Sequence, residues 1–436
     1  VNDLLRQHEA ASTHDVHEPL PRPSREAPTT SVLGGALAGR TVLVTGASGF
    51  IGGRLAERLA LHHHARVRVL VRGVAGAARL ARLPVEIVRG DVTDRDAVTA
   101  AAAGCDVVFH CAYGTSGSQK HRAFVNRRGT RRVLEAAATT GVRRLVYLST
   151  LMVYGRTADG DLDETAPRRR FGNAYSDSKL DAEREAMRWA RAGRAPVVAL
   201  QPTAVYGPWG GVWTAQPLAA LAAGRWILVD GGAGIANAVY VDDLVSAMLL
   251  AAVRDGVVGE AFLISGPAPV PWSELYRYFA AMHGDLEHPE RRLVTMSAEE
   301  AREHWRRHRR AVPRLPAELL AAFRGDRQLR DRLMATRELV TLRDVASALL
   351  PERWQQRIKS RMGADKRPQA AGDAELPILP LSPEMIDFFA ARTSVRIDKA
   401  RRLLGYEPAF PLQRGMELTR EWARWANLLQ QQAPEG

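Results

Sequence analysis

Tyr175 and Lys179 stand four residues apart in Tyr175-Ser176-Asp177-Ser178-Lys179, downstream of the glycine run Thr45-Gly46-Ala47-Ser48-Gly49-Phe50-Ile51-Gly52. On a helix the two side chains share one face. An unperturbed tyrosine titrates near pH ~10 and is a poor base at neutrality. Neighbouring positive charge favours the phenolate and lowers that value, which suits the pair to proton transfer. Gly46, Gly49 and Gly52 lie three apart, and such glycines let backbone N–H groups approach a pyrophosphate whose charge the following helix N-terminus favours. Neither pattern decides the matter alone. A glycine triplet also makes a tight strand-to-helix turn, and a Tyr/Lys pair also sits on solvated helices. Together, in this order, they predict a dinucleotide site with a proton donor beside it, hence hydride movement between a nicotinamide and a carbon bearing oxygen.

The elements that must position these residues are legible around them. Arg40-Thr41-Val42-Leu43-Val44-Thr45 is a short β-branched run into the glycines, Phe50 to Leu61 has helical spacing (Ile51, Leu55, Leu59), and Val67 to Val71 is a second strand. This β-α-β order implies a parallel sheet. Further strands are predicted at Val85–Val88, Val107–His110, Leu145–Ser149, Val197–Gln201 and Ala261–Ile264, with helices over Arg131–Thr140 and Ser176–Ala192. Such alternation predicts an α/β fold with a doubly wound parallel sheet. From Arg291 to Met362 the pattern reads as helices without strands. Ser297-x-x-Glu300 resembles a capping box there, and apolar faces run through Leu319, Leu320 and Phe323, then Leu339, Leu342, Val345 and Leu349. Asp365 to Pro380 reads as a linker, Ser382-Pro383-Glu384 opens another helix, and Met416 to Leu429 is a closing amphipathic helix with Trp422 and Trp425. The expected organisation is a mobile leader over 1–39, a dinucleotide-binding domain over 40–200, a smaller substrate-binding part over 201–290 and 381–430, and a helical Arg-rich insertion with its linker over 291–380.

Composition bounds the function classes. The 436 residues are 46% hydrophobic and 25% charged, an ordinary globular balance sufficient for one large core or two smaller ones. The net charge of +13 is uneven, because Arg302 to Arg367 holds eighteen Arg and Lys against eight Asp and Glu. A nucleic-acid role for the whole chain is therefore not expected, and the basic segment needs its own account. It reads as a helical lid over substrate, as a basic surface on an anionic membrane where each residue contributes ~1 kcal/mol, or as a solvated face. Cys105 and Cys111 flank one strand, too far apart to bond while it is extended, and are expected as reduced thiols of a cytoplasmic protein. No run reaches the ~18 apolar residues of a membrane span, and residues 1–39 lack the apolar stretch of a signal peptide. The expected location is cytoplasmic, with peripheral contact at the inner face of a membrane if the basic segment serves that role. The expected assembly is a homodimer, and no metal site is expected.

From Arg40 to Gly266 and from Thr393 to Leu429 the chain resembles the extended short-chain dehydrogenase/reductase family, also called NAD-dependent epimerase/dehydratases. The resemblance rests on Thr45 to Gly52; Gly90-Asp91-Val92; Phe109-His110-Cys111-Ala112; Asn126-x-x-Gly129-Thr130; Tyr147-Leu148-Ser149-Thr150 ending in Val153-Tyr154-Gly155; Tyr175-x-x-x-Lys179; Gln201-Pro202-Thr203-Ala204-Val205-Tyr206-Gly207-Pro208; and Tyr240-Val241-Asp242-Asp243-Leu244. Ile397 to Pro408 is similar to the family's closing segment. The resemblance implies a Rossmann-type fold, and Thr150, Tyr175 and Lys179 as catalytic residues. It implies cofactor contacts from Gly46, Ser48, Gly49, Phe50, Ile51 and Gly52 under the phosphates, with Asp91 and Val92 beside the adenine. Cys111, Ala112 and Tyr113 would lie under the pyrophosphate and ribose, Asn126 near the nicotinamide half, and Pro202 and Val205 beside its ring; Tyr175 and Lys179 also touch the cofactor. NAD-preferring sites place an acid at the end of the second strand to hold the ribose, whereas this strand ends Val71-Arg72-Gly73. Arg72 suits a 2′-phosphate, so the cofactor is NAD(P) with NADP(H) favoured over NAD(H).

Departures from the family narrow the substrate. Family dehydratases follow the catalytic Thr with Asp-Glu, and this chain has Leu151-Met152, which cannot eliminate water. Sugar-nucleotide members commonly carry Asn where Ala204 stands and Arg near Ala236. The expectation is an NAD(P)-dependent oxidoreductase or epimerase acting at a secondary alcohol or ketone carbon of a small molecule, with a nucleotide sugar as one substrate class. The alternative is a ketone reductase or hydroxysteroid-dehydrogenase-like enzyme on an apolar substrate. A non-catalytic dinucleotide sensor is disfavoured by the intact Tyr/Lys pair.

Overall fold

The computed structural model describes residues 35–73, 75–114, 118–283, 288–311 and 376–429. All seven strands expected from the sequence form one sheet: β1 Thr41–Thr45, β2 Arg66–Val71, β3 Val85–Arg89, β4 Val107–His110, β5 Arg144–Leu148, β6 Val197–Pro202 and β7 Ala261–Ile264. Their order across the sheet is β3-β2-β1-β4-β5-β6-β7, and every pair is parallel. This is a Rossmann-like α/β fold, reversing direction on either side of β1.

Alternation along each strand gives the sheet two apolar faces. Leu43, Val108, Leu145, Tyr147, Val197 and Ala199 face a core shared with α2 (Arg95–Ala102), α3 (Gln119–Thr139) and α4 (Ala174–Arg191). Val42, Val44, Val146, Val198 and Leu200 face the other, with α1 (Phe50–Leu61) and α5 (Val241–Val253). From Val241 to Ala252 every residue of α5 is buried, because the C-terminal elements cover the side it turns away from the sheet. Parallel strands end on one edge. The edge carrying their C-termini holds the Gly46 turn after β1, Arg72 after β2, Asp91 after β3, Cys111 after β4, Thr150 after β5 and Pro202 closing β6.

Three differences from the sequence reading stand out. Leu37, assigned to the leader, is 1% exposed and part of the core; residues 1–34 lie outside the described set. The strand-free reading from Arg291 fails at once, for Leu293–Met296 pairs in parallel with Trp226–Val229. A four-residue run takes its conformation from its partner, and propensity alone does not mark it. The end of the expected linker is pinned as well, with Arg225 N–H donating to Pro377 O at 2.8 Å and Leu379 N–H to Arg225 O at 2.9 Å. The capping box is present: Ser297 N–H donates to Glu300 Oε2 at 2.7 Å and Glu300 N–H to Ser297 Oγ at 3.3 Å, opening the helix Ala298–Ala311. The apolar faces from Leu319 to Leu349 lie outside the described residues. Two further short parallel pairs, Ala204–Tyr206 with Ala238–Tyr240 and Gly160–Leu162 with Thr393–Val395, join the C-terminal part to the sheet's loops.

Candidate active site

The glycine turn is a backbone cradle. Gly46 has φ 74°, and a Cβ there would lie 2.7 Å from Ala112 N and Cys111 C. A Cβ on Gly52 would fall 2.5 Å from Gly46 O. The chain therefore folds back on itself too closely for side chains, leaving N–H groups to face a ligand. Helix α1 begins at Gly49 with no side-chain cap and no acid in its first turn, so its N-terminal donors and dipole are free for an anion. Beneath the turn, His110 locks the strand ends: its Nδ1 lies 2.8 Å from Thr45 Oγ1 and its Nε2 3.1 Å from Thr130 Oγ1. Thr130 donates to Asn126 O at 2.8 Å, so it accepts from His110 Nε2–H. Burial, and then Lys179, push His110 down to about 3, and it stays neutral. These features fit a dinucleotide pyrophosphate.

The Tyr/Lys pair and Thr150 converge at the same edge. Thr150 ends β5's extension and is 7% exposed, its hydroxyl accepting from Met152 N–H at 3.3 Å. Tyr175 lies in the first turn of α4, which Asn173 caps by accepting from Ser176 N–H at 2.8 Å. The Tyr175 ring is 39% exposed and meets Tyr113 edge-on, centroids 5.1 Å apart. Lys179 is buried between the rings of Tyr113 and Tyr147, its Nζ 5.7 and 5.3 Å from their centroids, and it donates to Leu148 O at 2.7 Å. Packing around the Tyr175 phenol raises its pKa, with the Thr150 side chain pulling the other way. Lys179 directs its ammonium at the Leu148 carbonyl. Burial brings Lys179 down to about 8, opposed by Cys111 and Glu183. Burial also holds the Cys111 thiol up at about 12, so it is uncharged near neutrality and Glu183 is the anion supporting Lys179. Both cysteines are free thiols.

The other residues expected to contact a cofactor have the following surroundings. Asn126, 2% exposed, donates from Nδ2 to Ser178 Oγ at 3.1 Å, while its Oδ1 has no partner among the described residues. Asp91 Oδ1 accepts from Thr93 N–H and Oγ1–H at 2.8 and 2.7 Å. Val92 packs on Gly129, where a Cβ would lie 2.8 Å away, which explains that glycine. Ser48 and Gly49 are exposed, and Phe50, Ile51, Ala112 and Tyr113 half-buried. Arg72 is exposed at the end of β2. Pro202, the last residue of β6, and Val205 are buried. Sequence reasoning missed Ser149, Glu183 and Gln201, which bond to one another behind the site. Among the described residues no three His, Cys, Asp or Glu could hold a metal, and no helix is long and apolar enough to cross a membrane.

A sequence profile of the NAD dependent epimerase/dehydratase family matches residues 42–265, just over half of the chain. The chain belongs to that family, and it is an NAD(P)-dependent enzyme of the short-chain dehydrogenase/reductase type. Among characterised relatives, the 4-hydroxy-2-methyl-3-oxo-4-farnesyl-3,4-dihydroquinoline-1-oxide ketoreductase of Stigmatella aurantiaca is 33% identical, over 52% of this chain and 68% of that protein. The 2-alkyl-3-oxoalkanoate reductase of Stenotrophomonas maltophilia is 34% identical, over 56% of this chain and 76% of that one. Of solved structures, the UDP-glucose 4-epimerase of Thermotoga maritima superposes with a TM-score of 0.60 at 19% identity, covering 89% of this chain and 99% of that one; this likeness is one of fold.

Proposed function

We propose that the protein is an NAD(P)-dependent reductase of an apolar ketone, with Thr150, Tyr175 and Lys179 as its catalytic residues. The observation that carries the substrate class is the apolar surround. Leu151 and Met152 follow Thr150, and Ala204 and Ala236, buried at 7% and 3% exposure, stand where sugar-nucleotide relatives keep polar groups. The farnesyl and alkyl substrates in the names of the two reductases above support the same reading.

A nicotinamide dinucleotide held at the glycine turn would supply the hydride. Tyr175, whose raised pKa keeps its proton in place at neutral pH, gives that proton to the reduced carbonyl oxygen; an alkoxide is far more basic than a phenol, so the transfer runs downhill. Thr150 hydrogen-bonds the same oxygen and orients it. Lys179 contributes positive charge beside the phenolate left behind and would hold the ribose side of the dinucleotide. Arg72, unopposed by any acid at the end of β2, favours a 2′-phosphate and hence NADP(H).

The test is NADPH consumption with three probes: a 2-alkyl-3-oxoalkanoate, a 3-ketosteroid and UDP-glucose. Turnover of either apolar ketone supports the reading. Interconversion of UDP-glucose without net NADPH loss, with both ketones inert, replaces it with an epimerase.

A further inference from the structure

A buried carboxylate that the chemistry above does not use lies one helical turn beyond Lys179. Glu183 is 0% exposed. It accepts hydrogen bonds from the Ser149 hydroxyl, from Gln201 Nε2 at 2.8 and 3.0 Å, and from Arg168 Nε at 2.6 Å. Gln201 Oε1 in turn accepts from Tyr154 O–H at 2.8 Å, and the Arg168 guanidinium lies 5.6 Å from the Tyr154 ring centroid. The partners are not scattered. Ser149 precedes Thr150, Tyr154 closes the turn that Thr150 opens, Gln201 precedes Pro202, and Glu183 rides on α4 with Tyr175 and Lys179. A charge taken fully out of water is strongly disfavoured unless paired and hydrogen-bonded. Glu183 is both, and a carboxylate is the side chain that can accept from three separate segments at once.

We propose that Glu183, ion-paired to Arg168, is a positioning residue that fastens the Thr150 turn, the Lys179 helix and the Gln201–Pro202 strand end into one geometry and places its carboxylate behind Lys179. The inference rests on the reading of Thr150, Tyr175 and Lys179 as the site. The groups facing Lys179 are His110, Cys111, Tyr113, Tyr147 and Glu183. His110, down at about 3, and Cys111, up at about 12, are uncharged at neutral pH, and burial raises both tyrosines, which leaves the Glu183 carboxylate, ion-paired to Arg168, as the group that favours the Lys179 ammonium.

A cavity of about 370 Å³ opens to solvent at this point, lined by Arg168, Glu183, Arg184, Met187, Arg188 and Arg191. It gives the pair a route for chemical rescue, since a free guanidinium can reach the place of a truncated Arg168.

The experiment follows NADPH and NADH binding by nicotinamide fluorescence across roughly pH 6–10 in the wild type, Glu183→Gln and Lys179→Met. Wild-type affinity should fall with a midpoint near Lys179's value of about 8. Glu183→Gln keeps the volume and removes the charge, so its midpoint should move down by roughly one pH unit, with affinity at neutral pH weakened about tenfold. Wild-type affinity and an unmoved midpoint in Glu183→Gln overturn the proposal. A midpoint that persists in Lys179→Met, or no binding of either dinucleotide to the wild type, instead defeats the reading of the site. Should Glu183→Gln fail to fold, Arg168→Ala decides. Its lost affinity should return with guanidinium well below denaturing concentration, and full affinity without guanidinium, or no recovery with it, overturns the proposal.

Discussion

Tyr175 presents its phenol from the first turn of α4, with Thr150 on one side and Tyr113 on the other, and Lys179 is held one turn deeper by the Leu148 carbonyl. Replacing Tyr175 by Phe removes only the proton that the reading above assigns to it. Tyr175→Phe should bind dinucleotide nearly as the wild type does while turnover falls on the order of 10²–10⁴-fold; parallel fluorescence titration and steady-state rates measure both, and undiminished turnover refutes the role. Arg72 offers a second check. Arg72→Asp should weaken NADPH and improve NADH, reversing the preference, and equal wild-type affinities for the two would dispose of the argument. The residues behind these predictions were visible in the sequence because their roles tie them to short motifs. Glu183 was not. It reads as one more charged residue in a charged helix, and its burial is made by Ser149, Gln201 and Arg168, which reach it from other segments. His110 was visible only as part of a motif, and its two threonine contacts come from the pairing of β1 with β4 and the packing of α3.

At the scale of elements, the β1–α1 turn is the least forgiving part of the molecule. A methyl group on Gly52 would strike the Gly46 carbonyl oxygen at 2.5 Å, and that oxygen belongs to the backbone. Gly52→Ala should therefore abolish or severely weaken dinucleotide binding, and should lower stability by about 1–3 kcal/mol as overpacking does; calorimetric binding and urea melts separate the two effects. Intact binding with unchanged stability would show that the turn is looser than its spacing indicates. The seven sheet strands were legible because each is a short, largely apolar run, most of them rich in β-branched residues, and the helices because their apolar residues recur at helical spacing. The short strands at Gly160–Leu162, Ala204–Tyr206, Ala238–Tyr240 and Thr393–Val395 were not. Three residues carry no period, and what makes them strands is a partner far away in the sequence.

Across the whole molecule, the C-terminal part is tied to the sheet by buried polar anchors. Asp243, 2% exposed, accepts from Ala409 N–H at 2.7 Å and Phe410 N–H at 3.2 Å. Burial pushes it up to about 7, though those two bonds act the other way. An unfolded Asp releases its proton near pH ~3.9, so between that value and 7 the folded chain holds a proton that the unfolded chain has lost. This contribution to stability is present at acid pH and is lost as pH rises through 7. Asp243→Asn should flatten the pH dependence of stability over that window relative to the wild type, as read from urea midpoints; identical slopes would mean that Asp243 ionises normally. The other anchors are Asn237, which donates to Thr393 O at 2.7 Å and accepts from Val395 N–H at 2.9 Å, and Tyr406, whose hydroxyl donates to Ser265 O at 2.9 Å. Asp387 adds ion pairs to Arg156 and Arg302 at 2.7 and 2.8 Å. These attachments lie wholly outside residues 312–375 and join residues on either side of that stretch. A chain cut once between positions 311 and 376 should behave as a noncovalent heterodimer, eluting as one species in native chromatography and separating into two only under denaturant.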